Sequence, residues 1–254
     1  MGVVNVTPDS FSDGGRFFET ADAVAHARTL IAAGADSLDI GAESTRPGAE
    51  PVVAADELAR VVPVITAIRA ESGISISIDT MKPEVAAAAV AAGATMWNDV
   101  TALRWSEDSL ATAADLGCDV VLMHMQGVPR TMQAAPAYDD VVAEVSTFLV
   151  ARADAAVAAG VAPEKIWLDP GIGFGKTGAH SLTLLAHLDR IVALGFPVLL
   201  GASRKSFLGK IDRAATGAGD RLGGSLAAAL AGAAAGVAAV RVHDVRETVQ
   251  ALAV

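Results

Sequence analysis

Short apolar runs alternate along this chain with longer stretches in which alanine and other small or apolar residues recur at helical spacing. The runs predict strands at 2–6, 37–41, 74–79, 96–100, 119–125, 166–170, 198–203 and 238–243. The stretches between them predict helices near 20–33, 53–71, 83–92, 106–116, 139–159, 180–194, 219–235 and 245–252. Val, Ile and Leu dominate the strands, as in a sheet covered on both faces. Strand–helix alternation implies a parallel sheet. Eight such units imply an α/β protein of the closed (β/α)8 TIM-barrel type, for which about 250 residues is typical. An open doubly wound sheet is the alternative on the unit count. No linker or low-complexity segment divides the chain, so residues 1–254 are read as one barrel domain. The phrases Ala32-Ala-Gly-Ala35, Ala91-Ala-Gly-Ala94 and Ala158-Ala-Gly-Val161 mark helix ends, where glycine permits a left-handed cap.

Strand parity identifies the interior. In Ile74-Ser-Ile-Ser-Ile-Asp79 the isoleucines share one face, while Ser75, Ser77 and Asp79 share the other. The outer helices take the isoleucines, so the serines and Asp79 face the lumen. The same parity places Asn5, Asn98, Met123, Asp169, Gly201, Lys205, Arg241 and His243 inward or at the upper rim. That is the strand end at which barrels build their active sites. His124 has outward parity, and His26, His180 and His187 fall in helices. Scattered histidines and the single Cys118 make no zinc ligand set.

Composition narrows the chemistry. Hydrophobic residues make up 52% of the chain, enough for a large core. The net charge is −10 with no Lys/Arg block, so no nucleic-acid partner is expected, and an anionic ligand needs a local cationic pocket. One cysteine cannot form an internal disulfide, which fits a reducing cytoplasm. Apolar runs stop short of membrane-spanning length, and a charged loop follows the first strand almost at once, so neither a membrane span nor a signal peptide is expected.

Asp79, Asn98 and Asp169 converge at the tops of strands three, four and six. Buried carboxylates are costly unless paired or hydrogen-bonded, and such a group accepts bidentate bonds from a flat N–H array. Gly201 leaves room beside a planar ligand, Phe174 can close over a ring, and Lys205 can donate to a carbonyl or ring nitrogen. A Schiff-base role for Lys205, as in barrel aldolases, is the other reading of that lysine. Asn5, Arg46, Arg241 and His243 form a candidate oxyanion pocket, with arginine suited to bidentate phosphate contact. Asn5 also offers an oxygen to Mg2+, which keeps waters and substrate phosphates rather than an all-protein cage.

Two loop motifs carry a further signal. Met1-Gly-Val-Val-Asn-Val-Thr-Pro-Asp-Ser-Phe-Ser-Asp-Gly-Gly15 follows the first strand, and Gly41-Ala-Glu-Ser-Thr-Arg-Pro-Gly48 follows the second. With Ile78-Asp-Thr80, Asn98-Asp99, Asp169-Pro-Gly171, Ser203-Arg-Lys-Ser206 and Arg241-Val-His243, they make the chain resemble the dihydropteroate synthases over essentially its whole length. That resemblance implies condensation of 6-hydroxymethyl-7,8-dihydropterin diphosphate with p-aminobenzoate, giving 7,8-dihydropteroate and diphosphate in folate biosynthesis. It implies that Asp79, Asn98, Asp169 and Lys205 hold the pterin, beside Met123, Phe174 and Gly201. Asn5, Arg46, Arg241 and His243 match the diphosphate and Mg2+ end. Phe11, Thr45, Pro47 and Ser206 match the p-aminobenzoate end, where sulfonamides compete. Asp9, if its loop closes, joins Asp79 and Asp169 in offsetting a cation. The resemblance also implies a homodimer and a longer segment ahead of Asn5 than the chain has; the apolar, small-residue stretch 224–237 is a candidate interface, with burial against the barrel the equal alternative. Thr101-Ala102 departs from the Ser-Gly expected after Asn98-Asp-Val100. A pterin-binding methyltransferase would share the barrel and its anchors without needing Ser44-Thr-Arg-Pro-Gly48 or a diphosphate pocket. A catalytically silent barrel would carry degraded loops.

Overall fold

A computed structural model describes residues 1–6, 16–44, 50–212 and 214–254. In chain order these contain β1 (Gly2–Asn5), α1 (Arg16–Ala32), β2 (Ser37–Gly41), α2 (Ala54–Glu71), β3 (Ser75–Asp79), α3 (Pro83–Ala91), β4 (Met96–Asp99), α4 (Ser109–Leu116) and β5 (Asp119–Met123). There follow α5 (Val141–Ala158), β6 (Ile166–Asp169), α6 (Gly178–Ala186), α7 (Leu188–Val192), β7 (Leu199–Leu200), α8 (Ser206–Ile211), α9 (Leu222–Ala235), β8 (Ala239–Val240) and α10 (Val245–Leu252).

Strands β1 to β6 pair in sequence order, and β7 pairs with β8, all in parallel. Parallel bridges Leu168–Val198 and Gly2–Val242 join the two sheets at both seams, so the strands run round a ring. The Val3 amide donates to the Val242 carbonyl at 3.1 Å across one seam, and the Leu168 amide to the Pro197 carbonyl at 2.9 Å across the other. The fold is the expected (β/α)8 barrel. β7 and β8 are shorter than predicted because Gly201–Lys205 leave the ladder to form the mouth, while beyond Val240 the pairing narrows to the Arg241 amide on the Leu200 carbonyl and the Gly2–Val242 bridge.

Leu38, Ile40, Ile76, Ile78, Val120, Leu122, Ile166 and Leu168 are wholly buried between the sheet's outer face and the helices. The lumen floor is apolar, with Met96, Val121 and Leu199 packed together. Polar groups begin above it. Register places Asp79 opposite Asn98, and Met123 opposite Asp169, so parallel pairing itself gathers the upper tier.

Helix ends follow local chemistry. The Asp140 carboxylate accepts from the amides of Val142 and Ala143, each at 3.0 Å, and starts α5. Gly117 and Gly236 close α4 and α9 at φ of 58° and 88°. The predicted helix 180–194 is two helices. His187 leaves helical geometry at φ −124°, ψ 31°, and the bend buries Leu184 on one side and Leu188 and Ile191 on the other. His180 closes a capping box with Thr177 at the start of α6. Helix α8 arises where the sequence predicts only a loop.

Candidate active site

The mouth is organised around Arg241, which enters from the end of β8. Its Nε donates to Asp39 Oδ2 at 2.5 Å, and its Nη2 to Asp79 Oδ2 at 2.9 Å. Asn98 Nδ2 donates to the same Asp39 oxygen, Oδ2, at 3.3 Å. Asp39 is fully buried, and sequence reasoning did not single it out. The signal was present: in Ser37-Leu-Asp-Ile-Gly41 Asp39 alternates with Leu38 and Ile40, just as Asp79 does with its isoleucines.

Two neighbouring carboxylates, Asp39 fully and Asp79 largely buried, explain where Arg241 sits. Arg241, expected at the diphosphate pocket, lies between Asp39 and Asp79, because adjacent carboxylates held away from water need a shared counter-charge. Burial works against its charge, but Asp39 and then Asp79 outweigh that and raise its pKa. Asp79 still rises to about 7, first through burial and then through Asp39, against the pull of Arg241.

Asp169 stands on the same cavity. Its Oδ1 accepts from the Gly171 amide at 2.7 Å, and burial raises its pKa. A Cβ on Gly201 would sit 3.8 Å from Asp169 Oδ2 and 4.0 Å from Arg241 Cδ, so this glycine opens directly beside both charges. Lys205 lowers the pKa of both Asp79 and Asp169, and its Nζ lies 4.0 Å from the centre of the Phe174 ring. Phe174 packs with buried Met81, Val100, Met123, Met125 and Met132 into an apolar wall. The expected pterin set, Asp79, Asn98, Met123, Asp169, Phe174, Gly201 and Lys205, therefore lines one mouth.

The rest of the expected set is placed differently. His243 Nδ1 and Ser203 Oγ are 3.0 Å apart, and burial, then Arg241, brings the histidine pKa down to about 4, so it is neutral at pH 7. Asn5 is exposed at the end of β1, and Ser206 is exposed at the start of α8. Asp9, Phe11, Thr45, Arg46 and Pro47 lie outside the described residues.

Two buried lysines were also missed. Lys176 Nζ is 2.8 Å from His124 Nδ1, behind the loop that carries Phe174. His124 indeed points out of the lumen, with Phe148 edge-on to its ring at 4.9 Å. Burial and then Lys176 bring the His124 pKa to about 3, and burial brings Lys176 to about 7. Lys82 bonds Glu43 and, at 2.7 Å, Glu57, in a buried triad where the chain leaves β3. A lone lysine in a loop motif carries no sequence signal of burial, which is why both escaped notice.

The turn after β4 accounts for the Thr101-Ala102 departure. Ala102 adopts φ 54° and Leu103 φ 58°, a left-handed pair that glycine would enter more easily. The Asp99 carboxylate holds it, accepting from the Thr101 and Leu103 amides at 2.7 Å each. Arg152 secures the outside, donating to the Ala102 and Leu103 carbonyls at 2.8 and 3.1 Å.

A (β/α)8 barrel whose mouth sets paired carboxylates and an amide against an aromatic, methionine-rich wall defines a binder of flat, N–H-rich heterocycles. The family of pterin binding enzymes matches residues 1–243. Dihydropteroate synthase of Escherichia coli K12 is 48% identical over 254 residues, covering all of this chain and 89% of its own. The structure of Xanthomonas albilineans dihydropteroate synthase with 4-aminobenzoic acid superposes with a TM-score of 0.94 at 52% identity, covering all of this chain and 90% of that one. The Yersinia pestis dihydropteroate synthase structure with a sulfonamide drug complex gives 0.94 at 45%, over all of this chain and 91% of that one. The chain belongs to the dihydropteroate synthase family of pterin-binding enzymes. Among the described residues, no helix is long and apolar enough to cross a membrane.

Proposed function

We propose that the chain is a working dihydropteroate synthase, joining 6-hydroxymethyl-7,8-dihydropterin diphosphate to p-aminobenzoate and releasing diphosphate and 7,8-dihydropteroate. The observation that carries this reading is the charged cage of Asp39, Arg241, Asp79 and Asn98 opening onto Asp169, Gly201 and Lys205. Asp79, Asn98 and Asp169 take the N–H edge of the pterin, Lys205 donates to its acceptors, and Met123 and Phe174 pack on its faces. Breaking the C–O bond to diphosphate leaves positive charge on the pterin methylene. Asp79 and Asp169 offset that charge where it forms, with Asp9 as a third carboxylate, so the contact strengthens toward the transition state. The amine of p-aminobenzoate attacks as a neutral nucleophile and needs positioning more than activation. Thr45, Pro47, Phe11 and Ser206 are assigned to it.

Asn5, Arg46 and His243 are assigned to the diphosphate. Arg241 shares its guanidinium between that group and its carboxylates. Among the described residues no three His, Cys, Asp or Glu side chains gather as metal ligands. Asn5 at the rim fits as a single oxygen donor to Mg2+, with phosphate and water completing the shell. Bound there, the ion would neutralise charge on the leaving diphosphate. We further assign the protein to the cytoplasm and to a homodimer, in which the exposed Leu230 face of α9 would be covered.

Diphosphate release measured with both substrates tests the function. Release that requires p-aminobenzoate, with equimolar 7,8-dihydropteroate, is expected. Pterin diphosphate binding without turnover would overturn it.

A further inference from the structure

The loop after β6 carries the aromatic side of the mouth, and one buried cation holds it. Lys176 is only 3% exposed. Its Nζ donates to the carbonyls of Gly171 at 2.9 Å, Phe174 at 3.0 Å and His124 at 3.2 Å, and it lies 2.8 Å from His124 Nδ1. The Lys176 nitrogen thus faces four acceptors drawn from two segments, the end of β5 and the loop itself.

The seam between those segments is tight. A Cβ on Gly171 would fall 1.9 Å from the His124 carbonyl oxygen, and one on Gly175 2.5 Å from that of Gln126. Phe174 sits between these glycines. Its amide donates to the Gly171 carbonyl at 3.0 Å, and its own carbonyl is taken by Lys176. With both peptide groups fixed, the ring keeps only its side-chain torsions. Those place it against Lys205 and in the methionine wall.

Stability alone accounts poorly for this arrangement. A buried charge is costly, and an apolar side chain of equal volume often stabilises as well or better. The outer side of the loop has its own fastenings: Tyr138 donates to the Gly175 carbonyl at 2.7 Å, and Gln133 bonds the Gly173 carbonyl. Neither reaches the Phe174 backbone. What Lys176 supplies is the direction of Phe174.

We infer that Lys176 is a positioning residue for pterin capture: through the Phe174 carbonyl it aims the aromatic ring at the heterocycle and at Lys205, without touching substrate. This rests on the pterin-binding reading of the mouth. The test uses the full-length enzyme and steady-state kinetics in both substrates, with Lys176→Met and the double variant Lys176→Met/His124→Leu, in which the ammonium and its nitrogen acceptor become apolar together. Both variants are expected to raise KM for pterin diphosphate about ten-fold or more, with KM for p-aminobenzoate changed less than about two-fold. Phe174→Leu is expected to reproduce the defect and to add little to Lys176→Met, since the two act through one ring.

Normal pterin KM in a folded variant would overturn the inference, and so would equal loss toward both substrates. Failure of both variants to fold would assign Lys176 to stability and overturn it too. A wild-type enzyme that turns over normally separates these results from failure of the functional reading itself.

Discussion

Arg241 donates from Nη2 to Asp79 Oδ2 across 2.9 Å, so the mouth's central cation is paired with a carboxylate assigned to the pterin. The guanidinium fork suits this double duty, because its other edge is already on Asp39. A lysine there would be a point charge unable to bridge two carboxylates in plane. A ligand entering the mouth meets a charge network already paired within the protein, and the titration of Asp79 is the most informative handle on it.

Asp79 carries a cost that Asn should relieve. Its folded pKa of about 7 lies above the ordinary 3.8. Below about pH 4 both folded and unfolded forms hold the proton, and the site costs nothing. Between about 4 and 7 the folded form binds the proton more tightly, so stability falls as pH rises, and the cost is complete above 7. Asp79→Asn is expected to raise unfolding free energy at pH 8 by on the order of 2 kcal/mol, with little change at pH 4. The same change should lower kcat/KM for pterin diphosphate about 100-fold, since an amide cannot replace a carboxylate toward two N–H donors. Urea unfolding at the two pH values, with kinetics, checks both.

Asp39 sets that pKa from a distance. After burial, its charge is the largest influence raising Asp79. In the wild type kcat/KM should climb with pH along a limb near 7 as Asp79 loses its proton. Asp39→Asn removes the repulsion and leaves Arg241 to Asp79 alone, so the limb should move to lower pH. A limb unchanged in this variant would show that the Asp39 charge does not set the Asp79 pKa.

The barrel was legible because its signal repeats. Eight apolar runs with outward Ile, Val and Leu specify the same unit each time, and Asp79, Asn98 and Asp169 emerge from strand parity alone. Asp39 was readable by the same rule and was passed over. Strand parity puts Arg241 on the inner face, but its pairing with Asp39 and Asp79 is not readable from spacing, because charge pairing depends on which strands become neighbours across the lumen. The break at His187 had no glycine or proline to announce it, being set by packing of Leu184, Leu188 and Ile191. The buried partners of Lys82 and Lys176 are contacts between distant segments, which local spacing does not encode.

Glycine substitutions should separate space for substrate from space for the fold. At Gly201 an added methyl meets only ordinary contacts, 3.8 Å from Asp169 and 4.0 Å from Arg241. Gly201→Ala is expected to keep its Tm within about 2 °C while raising KM for pterin diphosphate, because the methyl occupies room beside the anchors. At Gly171, with φ +65° and a 1.9 Å clash, Ala is expected to cost about 3 kcal/mol or more. Thermal scans of the pair, beside their kinetics, give opposite patterns if the mouth is read correctly.

The triad of Lys82, Glu43 and Glu57 offers the sharpest contrast between burial and exposure. Arg28 and Glu71 pair at 2.5 Å on the surface, with 59% and 45% of their side chains exposed. Lys82 and Glu57 pair at 2.7 Å with 8% and 0% exposed. Distance alone would rank the two bonds alike. In water the surface pair is screened and costs side-chain entropy, so Arg28→Ala should leave Tm unchanged. In the interior the ammonium is the counter-ion of two carboxylates, and among the described residues Glu57 Oε1 has no hydrogen-bond partner. Lys82→Met would strand both anions, at an expected cost of about 3–5 kcal/mol. Adding Glu57→Leu removes the deeper anion and should restore at least about half of that loss, since Glu43 keeps the Val52 amide at 3.3 Å. Chemical denaturation of the single and double variants measures the difference. Equal losses in Arg28→Ala and Lys82→Met would mean that burial does not decide the worth of these pairs.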